Sequence, residues 1–568
     1  MVSPDFSWGK KYWPKLSKHV IDNYGEDEIK EPALVQKIFK ECFQILGESF
    51  LKLIHNEKRA SFYLYAHNFH ENSIELYYHQ IAGNQLAIDE GEFAGTRRVL
   101  KIILEQSCGL ELIGSTNYGQ EMLSNKIQYL RLLEELLYIG YKAIEMTEII
   151  ARSQLFPNAI GLIIKEGVLN LLTYQPYPHL FKFIHKDLSK HNDNIVIHNT
   201  MIELKKFFFE HLGIDYDVAG SIIHEQVSNP QYKFGFLSLD QIIDLIIEDH
   251  GYSKDNLSDF YRGLSVSKDN FLSFENCILR NQDINRHTFR PILQVNIDGQ
   301  KLCLIGRNKW TESLSLMVMN ALPYNICPEE WLKHKPIRQF INNIRTNHDK
   351  VLENPIKEKL ETSSIKFHNS LDSLFQRKGN NIRIDIEKIG EIDIVYLDEP
   401  NKIIYVVECK HNRSRFDMFN WRRDYSKFKE KYETQLDNKV NWASANKNLI
   451  EGHFAVKYEV DGLDLSDYII RGIFAINAPT VYMHNGKYRA LTIHDMNNLI
   501  DGNYVDLSFL FKNEDDGSEV LIKHPYFDNL DAHLRKKDQV VEKLMDMSPS
   551  ELNKLIALLK EEISPISQ

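Results

Sequence analysis

Two carboxylates and one ammonium stand at the ends of otherwise oily segments in this chain. Asp393 stands near the start of the run Ile392–Leu397, and Glu408 and Lys410 close the run that begins at Ile403. Charged groups on apolar strands are costly to bury alone, so they are expected to share a partner, and a divalent cation suits them. Between the runs, Glu399-Pro400-Asn401-Lys402 fits a type I turn with proline at its second position. An antiparallel pair closed by that turn joins residues whose numbers sum to 801, which sets Asp393 opposite Glu408. Such opposed side chains lie roughly 4.5–5.5 Å apart at Cβ. Side chains alternate along a strand, so Glu408 and Lys410 share one face and Cys409 takes the other.

Two carboxylates so spaced form an oxygen-rich site for Mg²⁺ or Mn²⁺. An ion there lowers the pKa of bound water and offsets charge on a phosphodiester oxygen, while Lys410 orients the water or steadies the transition state. The chemistry expected is metal-assisted phosphodiester hydrolysis. The bland alternative is a solvated edge hairpin in which Lys410 simply pairs with Glu408.

The sequence Gly390-Glu391-Ile392-Asp393 followed by Glu408-Cys409-Lys410 resembles the PD-(D/E)xK nuclease superfamily over about residues 355–500, with Ile392 in place of the proline of the family name. The resemblance implies Asp393, Glu408 and the backbone carbonyl of Cys409 as metal ligands and Lys410 as the catalytic lysine. It also implies a restriction-endonuclease-like α/β domain with a mixed central sheet, and a further glutamate on the preceding helix. An Asp/Glu-x-Lys triplet alone says little, since Glu28-Ile29-Lys30 matches as well with no apolar strand before it.

The flanking segments supply the expected scaffold. Asn354-Pro355 suits a helix start, and Ile356, Leu360, Phe367, Leu371 and Leu374 fall on one helical stripe that Gly379 ends. Glu361, at the edge of that stripe, is the candidate helix ligand, with His368 as its rival. After Lys410 come Arg413, Arg415, Arg422 and Arg423, interleaved with Phe416, Phe419, Trp421, Tyr425 and Phe428. Cations there would neutralise phosphates and planar side chains would stack on bases; an amphipathic helix with its aromatics in the core gives the same pattern. Gln435 follows, where members of the superfamily often carry a glutamine. Strands at Tyr468–Ala475 and Tyr488–Ile493 are expected to complete the sheet.

Around this centre, 568 residues predict about three domains: a mostly helical one over 1–252, a small mixed α/β region over 271–345, the nuclease-like domain over 350–510 and an extension over 511–568. The fold class expected is α+β multidomain. Leucine and isoleucine stripes at Ile127–Leu137 and Leu239–Ile246 carry the helical reading, and Asp298-Gly299 predicts a type I′ hairpin between Pro291–Ile297 and Lys301–Ile305. The net charge of −11 argues against a general nucleic-acid coat and leaves binding to the basic segment. Six scattered cysteines and no secretory leader point to a reducing cytoplasm, and no apolar run is long enough for a membrane helix.

Three weaker motifs have simpler accounts. His185–Asn192 has the spacing of a kinase catalytic loop but no glycine-rich loop or Asp-Phe-Gly accompanies it, so it reads as a polar loop. His67, His70 and His79 invite zinc yet lack a fourth ligand, which favours a histidine-bearing loop. Gly114–Gly119 lacks a phosphate-binding lysine and reads as a turn. Ser548-Pro549-Ser550-Glu551 opens a terminal helix that docks on the body or joins a second copy, a possible homo-oligomer. The function expected is a Mg²⁺-dependent endonuclease acting on DNA, with RNA left open, in bacterial defence against foreign DNA or in repair. A nuclease fold without activity, serving as a nucleic-acid-binding scaffold, is the alternative.

Overall fold

A computed structural model of the chain describes residues 2–84, 89–174, 177, 180, 182–184, 197–220, 234–377, 381–384, 389–415, 417–506, 508–512, 517–533, 539–542 and 544. The motifs at His185–Asn192 and Ser548–Glu551, and with them the terminal helix, lie outside these residues. The chain is mixed α/β with a helical N-terminal region. It forms two units: residues 1–173, 195–343 and 539–568 make one, residues 174–194 and 344–538 the other.

The first unit is built on long helices, among them Pro32–Asn56, Ala60–Ile81, Glu90–Ser107 and Lys126–Leu155. The expected hairpin is present: Ile292–Ile297 pairs with Gln300–Gly306, and Asp298 and Gly299 both have positive φ (49° and 79°), as a type I′ turn requires. Residues 271–345 do not, however, form a region of their own. That hairpin pairs with Glu111–Leu112 on one side and Phe234–Leu237 on the other, so its backbone groups are satisfied only inside the helical unit. Likewise the extension after 511 is divided, because Gln539–Glu542 adds to the sheet of Val168–Tyr174 and Ile160–Lys165.

A buried ionic network ties this unit together. The Arg286 guanidinium, with no exposed surface, donates from Nε to both oxygens of Glu105 at 2.9 and 2.7 Å and from a terminal nitrogen to the carbonyl of Cys277. Glu105 also accepts the His287 backbone N–H. Removing one partner from a buried pair strands the other charge, which typically costs about 3–5 kcal/mol. Arg286→Ala is therefore expected to lower the urea stability of the first unit by about that amount, and an unchanged midpoint would contradict this account.

The second unit centres on a five-stranded mixed sheet in the order β5-β4-β3-β2-β1: Phe367–Leu371 (β1), Ile392–Asp398 (β2), Ile403–Lys410 (β3), Ile469–Ile476 (β4) and Arg489–Thr492 (β5). Strand β2 runs antiparallel to both β1 and β3, and β3, β4 and β5 run parallel. Helices cover both faces, as a buried parallel ladder needs. Against one face pack Ile356 and Leu360 of the helix Lys335–Thr362 (α1), with Ile394, Tyr396, Tyr405 and Val407 beneath them. Against the other pack Met418–Lys427 (α2), a π-helical turn at Phe428–Tyr432, Glu433–Ala445 (α3) and Lys447–Lys457 (α4), over Val395, Leu397, Ile404 and Val406.

The helix before the hairpin departs from expectation. It begins at Lys335, runs through Pro355 and ends at Thr362, and Phe367, Leu371 and Leu374 lie in strands. A spacing of four fits a period of 2 as well as one of 3.6, so Phe367 and Leu371 satisfied both templates. Gly379 lies outside the described residues.

Candidate active site

The hairpin register is the one the turn dictates. Ile394 pairs with Val407, Tyr396 with Tyr405 and Asp398 with Ile403, so every pair sums to 801. The turn closes through the Lys402 N–H on the Glu399 carbonyl at 3.3 Å, with Lys402 at a φ of 50°. Continuing the ladder brings Asp393 to the level of Glu408. The Asp393 carboxylate reaches across and accepts the Cys409 backbone N–H at 2.6 Å.

Glu408 is 5% exposed, and both its oxygens are held by lysines. Lys410 Nζ donates to Oε1 at 2.5 Å. The same ammonium lies 4.6 Å from the ring centroid of Tyr432, at the end of the π-helical turn. Lys439 of α3 donates to Oε2, and its nitrogen stands 3.6 Å from Asp393 Oδ1. Two acids and two ammoniums thus meet at one end of the sheet, on the face that carries α3. Burial and the neighbouring Glu408 charge push the Asp393 carboxyl up, and Lys439, the Cys409 N–H and Lys410 partly offset this.

The close approach of α3 has a local cause. A side chain at Gly472 of β4 would put its Cβ 2.8 Å from Val440 and 3.0 Å from Leu436, so only glycine lets the helix descend far enough for Lys439 to reach the acids. The loop after β3 is held in turn: the Asn412 N–H donates to the side-chain oxygen of Asn477, whose amide donates back to the Asn412 carbonyl.

Asp393, Glu408, Cys409 and Lys410 are brought together, but Glu361 is not. Its side chain is 53% exposed, beside Lys357 at 3.8 Å and in the field of Lys457. His368 is also elsewhere, its Nδ1 2.9 Å from Nε2 of His453. Glu353 of α1 adds to burial and Asp393 in raising the Cys409 thiol well above its usual range. It escaped sequence reading because Asn354-Pro355 resembled a helix start, which left Glu353 outside the expected helix.

The basic segment is only partly available to a ligand. Arg415 is engaged with Asp424 through two hydrogen bonds of 2.7 and 2.8 Å, and Arg413 is buried. Arg422 lies over the Phe419 ring, half-buried, and Arg423 is exposed. Trp421 and Phe428 are buried, the latter stacked on Tyr482, so these aromatics belong to the core. Phe416 lies outside the described residues.

His67, His70 and His79 lie on a helix, not a loop. His67 and His70 are fully buried and face His287, with ring centroids of His70 and His287 5.4 Å apart. Among the described residues no group of three or more His, Cys, Asp and Glu side chains is arranged to hold a metal ion. Any ion at the hairpin would therefore rest on the two carboxylates, with a backbone oxygen and water completing its shell. Among the same residues no helix is long and apolar enough to cross a membrane. Comparison with protein-family models, curated proteins and solved structures finds no match to this chain.

Proposed function

We propose that the second unit is a metal-dependent nuclease of the PD-(D/E)xK kind that hydrolyses phosphodiester bonds in DNA. The single observation that supports this reading most is the meeting of Asp393, Glu408 and Lys410 at one end of the sheet, with β2 and β3 in the register that opposes the two acids. An all-oxygen donor pair of this type suits Mg²⁺ or Mn²⁺. Asp393 and Glu408 would hold the ion, with the Cys409 carbonyl beside them. When bound, such an ion supplies charge neutralisation at a phosphate oxygen and a more acidic water.

The protein's own groups have distinct tasks. The Cys409 N–H fixes the Asp393 carboxylate, and Tyr432 and Glu408 fix the Lys410 ammonium, which orients the attacking water or steadies the charge that develops on the phosphate. Arg423, the half-exposed Arg422 and the exposed Lys427 and Lys431 are cations of the basic segment placed to meet the nucleic-acid backbone. The helical first unit selects the substrate or regulates cleavage, with defence against foreign DNA or repair as the setting.

A second reading has one specific observation in its favour. Lys439 already neutralises the acid pair, as expected of a nuclease fold that binds nucleic acid without cutting it. Incubating the full chain with plasmid, linear and single-stranded DNA and with RNA, in Mg²⁺ or in EDTA, separates the two. The nuclease reading predicts cleavage of DNA in Mg²⁺ alone. Cleavage that persists in EDTA, or none of any substrate, contradicts it.

A further inference from the structure

Lys439 is the least expected member of the cluster. It is 5% exposed, and its ammonium touches one oxygen of Glu408 while lying 3.6 Å from an oxygen of Asp393. That position, between two carboxylates, is where an ion shared by them would sit. A Mg²⁺ ion needs oxygens at about 2.0–2.1 Å and tolerates little departure from octahedral geometry. With the lysine nitrogen there, neither carboxylate can turn a free lone pair toward such an ion from that side.

Charge leads to the same conclusion. Asp393 and Glu408 carry two negative charges against the two positive ones of Lys410 and Lys439, so the closed cluster is neutral. A divalent ion added to it would leave two excess positive charges in a poorly solvated place, which is unfavourable. The ion becomes favourable once the Lys439 charge moves away.

The helix provides a place for it to go. Gln435 lies four residues before Lys439 on α3, and its side-chain oxygen is buried with no hydrogen-bond partner among the described residues. Residues four apart on a helix are neighbours, and helical side chains lean toward the N-terminal turn, so a lysine reaches its i−4 residue readily. A buried acceptor left unpaired is costly, and a visiting ammonium would relieve it.

We infer that Lys439 is a built-in counter-ion that occupies the cation position of the acid pair and withdraws to Gln435 when a divalent ion binds. The inference rests on the metal-dependent reading above and adds a step to it, since metal loading must displace an internal rival. Holding the acids together without metal, Lys439 also keeps the hairpin intact in the ion-free protein.

Calorimetric titration of the full chain with Mn²⁺ tests this, alongside thermal melts with and without Mn²⁺. Lys439→Met and Lys439→Gln should bind Mn²⁺ about tenfold more tightly than the wild type, the loss of one competing charge interaction worth about 1.4 kcal/mol. Their melting temperature should be lower without Mn²⁺ and should gain more from it. Gln435→Leu should weaken Mn²⁺ binding when Lys439 is present and have no effect in the Lys439→Met background. Equal or weaker binding by both Lys439 variants, with Asp393→Asn abolishing it, overturns the counter-ion and leaves the metal site standing. No binding by the wild type or by either folded Lys439 variant overturns the metal site itself. Should Lys439→Met fail to fold, Lys439→Gln, which keeps a donor for Glu408, carries the comparison.

Discussion

Asp393→Asn is expected to abolish Mg²⁺-dependent DNA cleavage, by on the order of a thousandfold or more, while leaving the fold intact. Asparagine keeps an oxygen for the Cys409 N–H and changes little but charge, so the hairpin should survive. What disappears is one of two anionic ligands and the field that gathers a cation. Lys410→Met should lose activity to a similar degree, because Glu408 keeps Lys439 as a partner and the sheet stays closed. Glu408→Gln is the less clean variant, since it strands two ammoniums in a buried place. On α1, the exposed Glu361→Gln should leave cleavage unchanged. Turnover of a labelled duplex, with circular dichroism of each variant, measures all of these. Cleavage by Asp393→Asn at the wild-type rate would refute the assignment.

The second large effect is on acid stability. His67, His70 and His287 are buried side by side near Lys309, and desolvation by burial lowers all three pKa values, that of His67 to about 3. In the unfolded chain each titrates near 6.5. A base whose pKa is depressed by folding is protonated first in the unfolded state, so stability is present above 6.5 and is lost as pH falls below it. Glu71 has the opposite sign. Burial raises its carboxyl to about 7 although it accepts the N–H groups of Asn308 and Lys309, so between pH 7 and 4.5 it favours the folded state as pH falls. Three histidines against one carboxyl leave a net of two protons, a loss of about 3 kcal/mol per pH unit. Below pH 6.5 the first unit should therefore lose stability steadily as pH falls. Urea midpoints across that range measure the slope, and His70→Leu should reduce it. A flat profile would show that the three rings charge freely inside the fold.

How far the sequence could be read depended on how local its signals were. The hairpin was legible to the residue because Pro400 and Asn401 define a turn, and a turn sets the register of every pair beyond it. The type I′ turn at Asp298-Gly299 was legible for the same reason. The start of α1 was not, since Asn354-Pro355 is a good helix cap that tertiary packing overrode: the helix continues through the proline because Leu352, Ile356 and Leu360 all find the core. Domain boundaries failed where strands distant in sequence pair, as Glu111–Leu112 does with Asn296–Ile297.

Lys439 was missed although a signal for it existed. Leu436, Lys439, Val440 and Ala443 form one helical stripe, in which a lysine is the odd member. A charge in an apolar stripe calls for a buried partner, and Glu408 is that partner. The basic run after Lys410 shows the converse error. Its arginines looked like a phosphate-binding face, but Arg415 has Asp424 nine residues on as an internal partner, and Arg413 is buried.

The most direct measurement is a crystal of the full chain grown or soaked with Mn²⁺, with data collected at a wavelength where manganese scatters anomalously. A single anomalous peak between the Asp393 and Glu408 carboxylates, at about 2.0–2.3 Å from an oxygen of each and with Lys439 turned away, is the result expected. A map with no peak there, and Lys439 still seated on both acids at saturating Mn²⁺, would contradict the account.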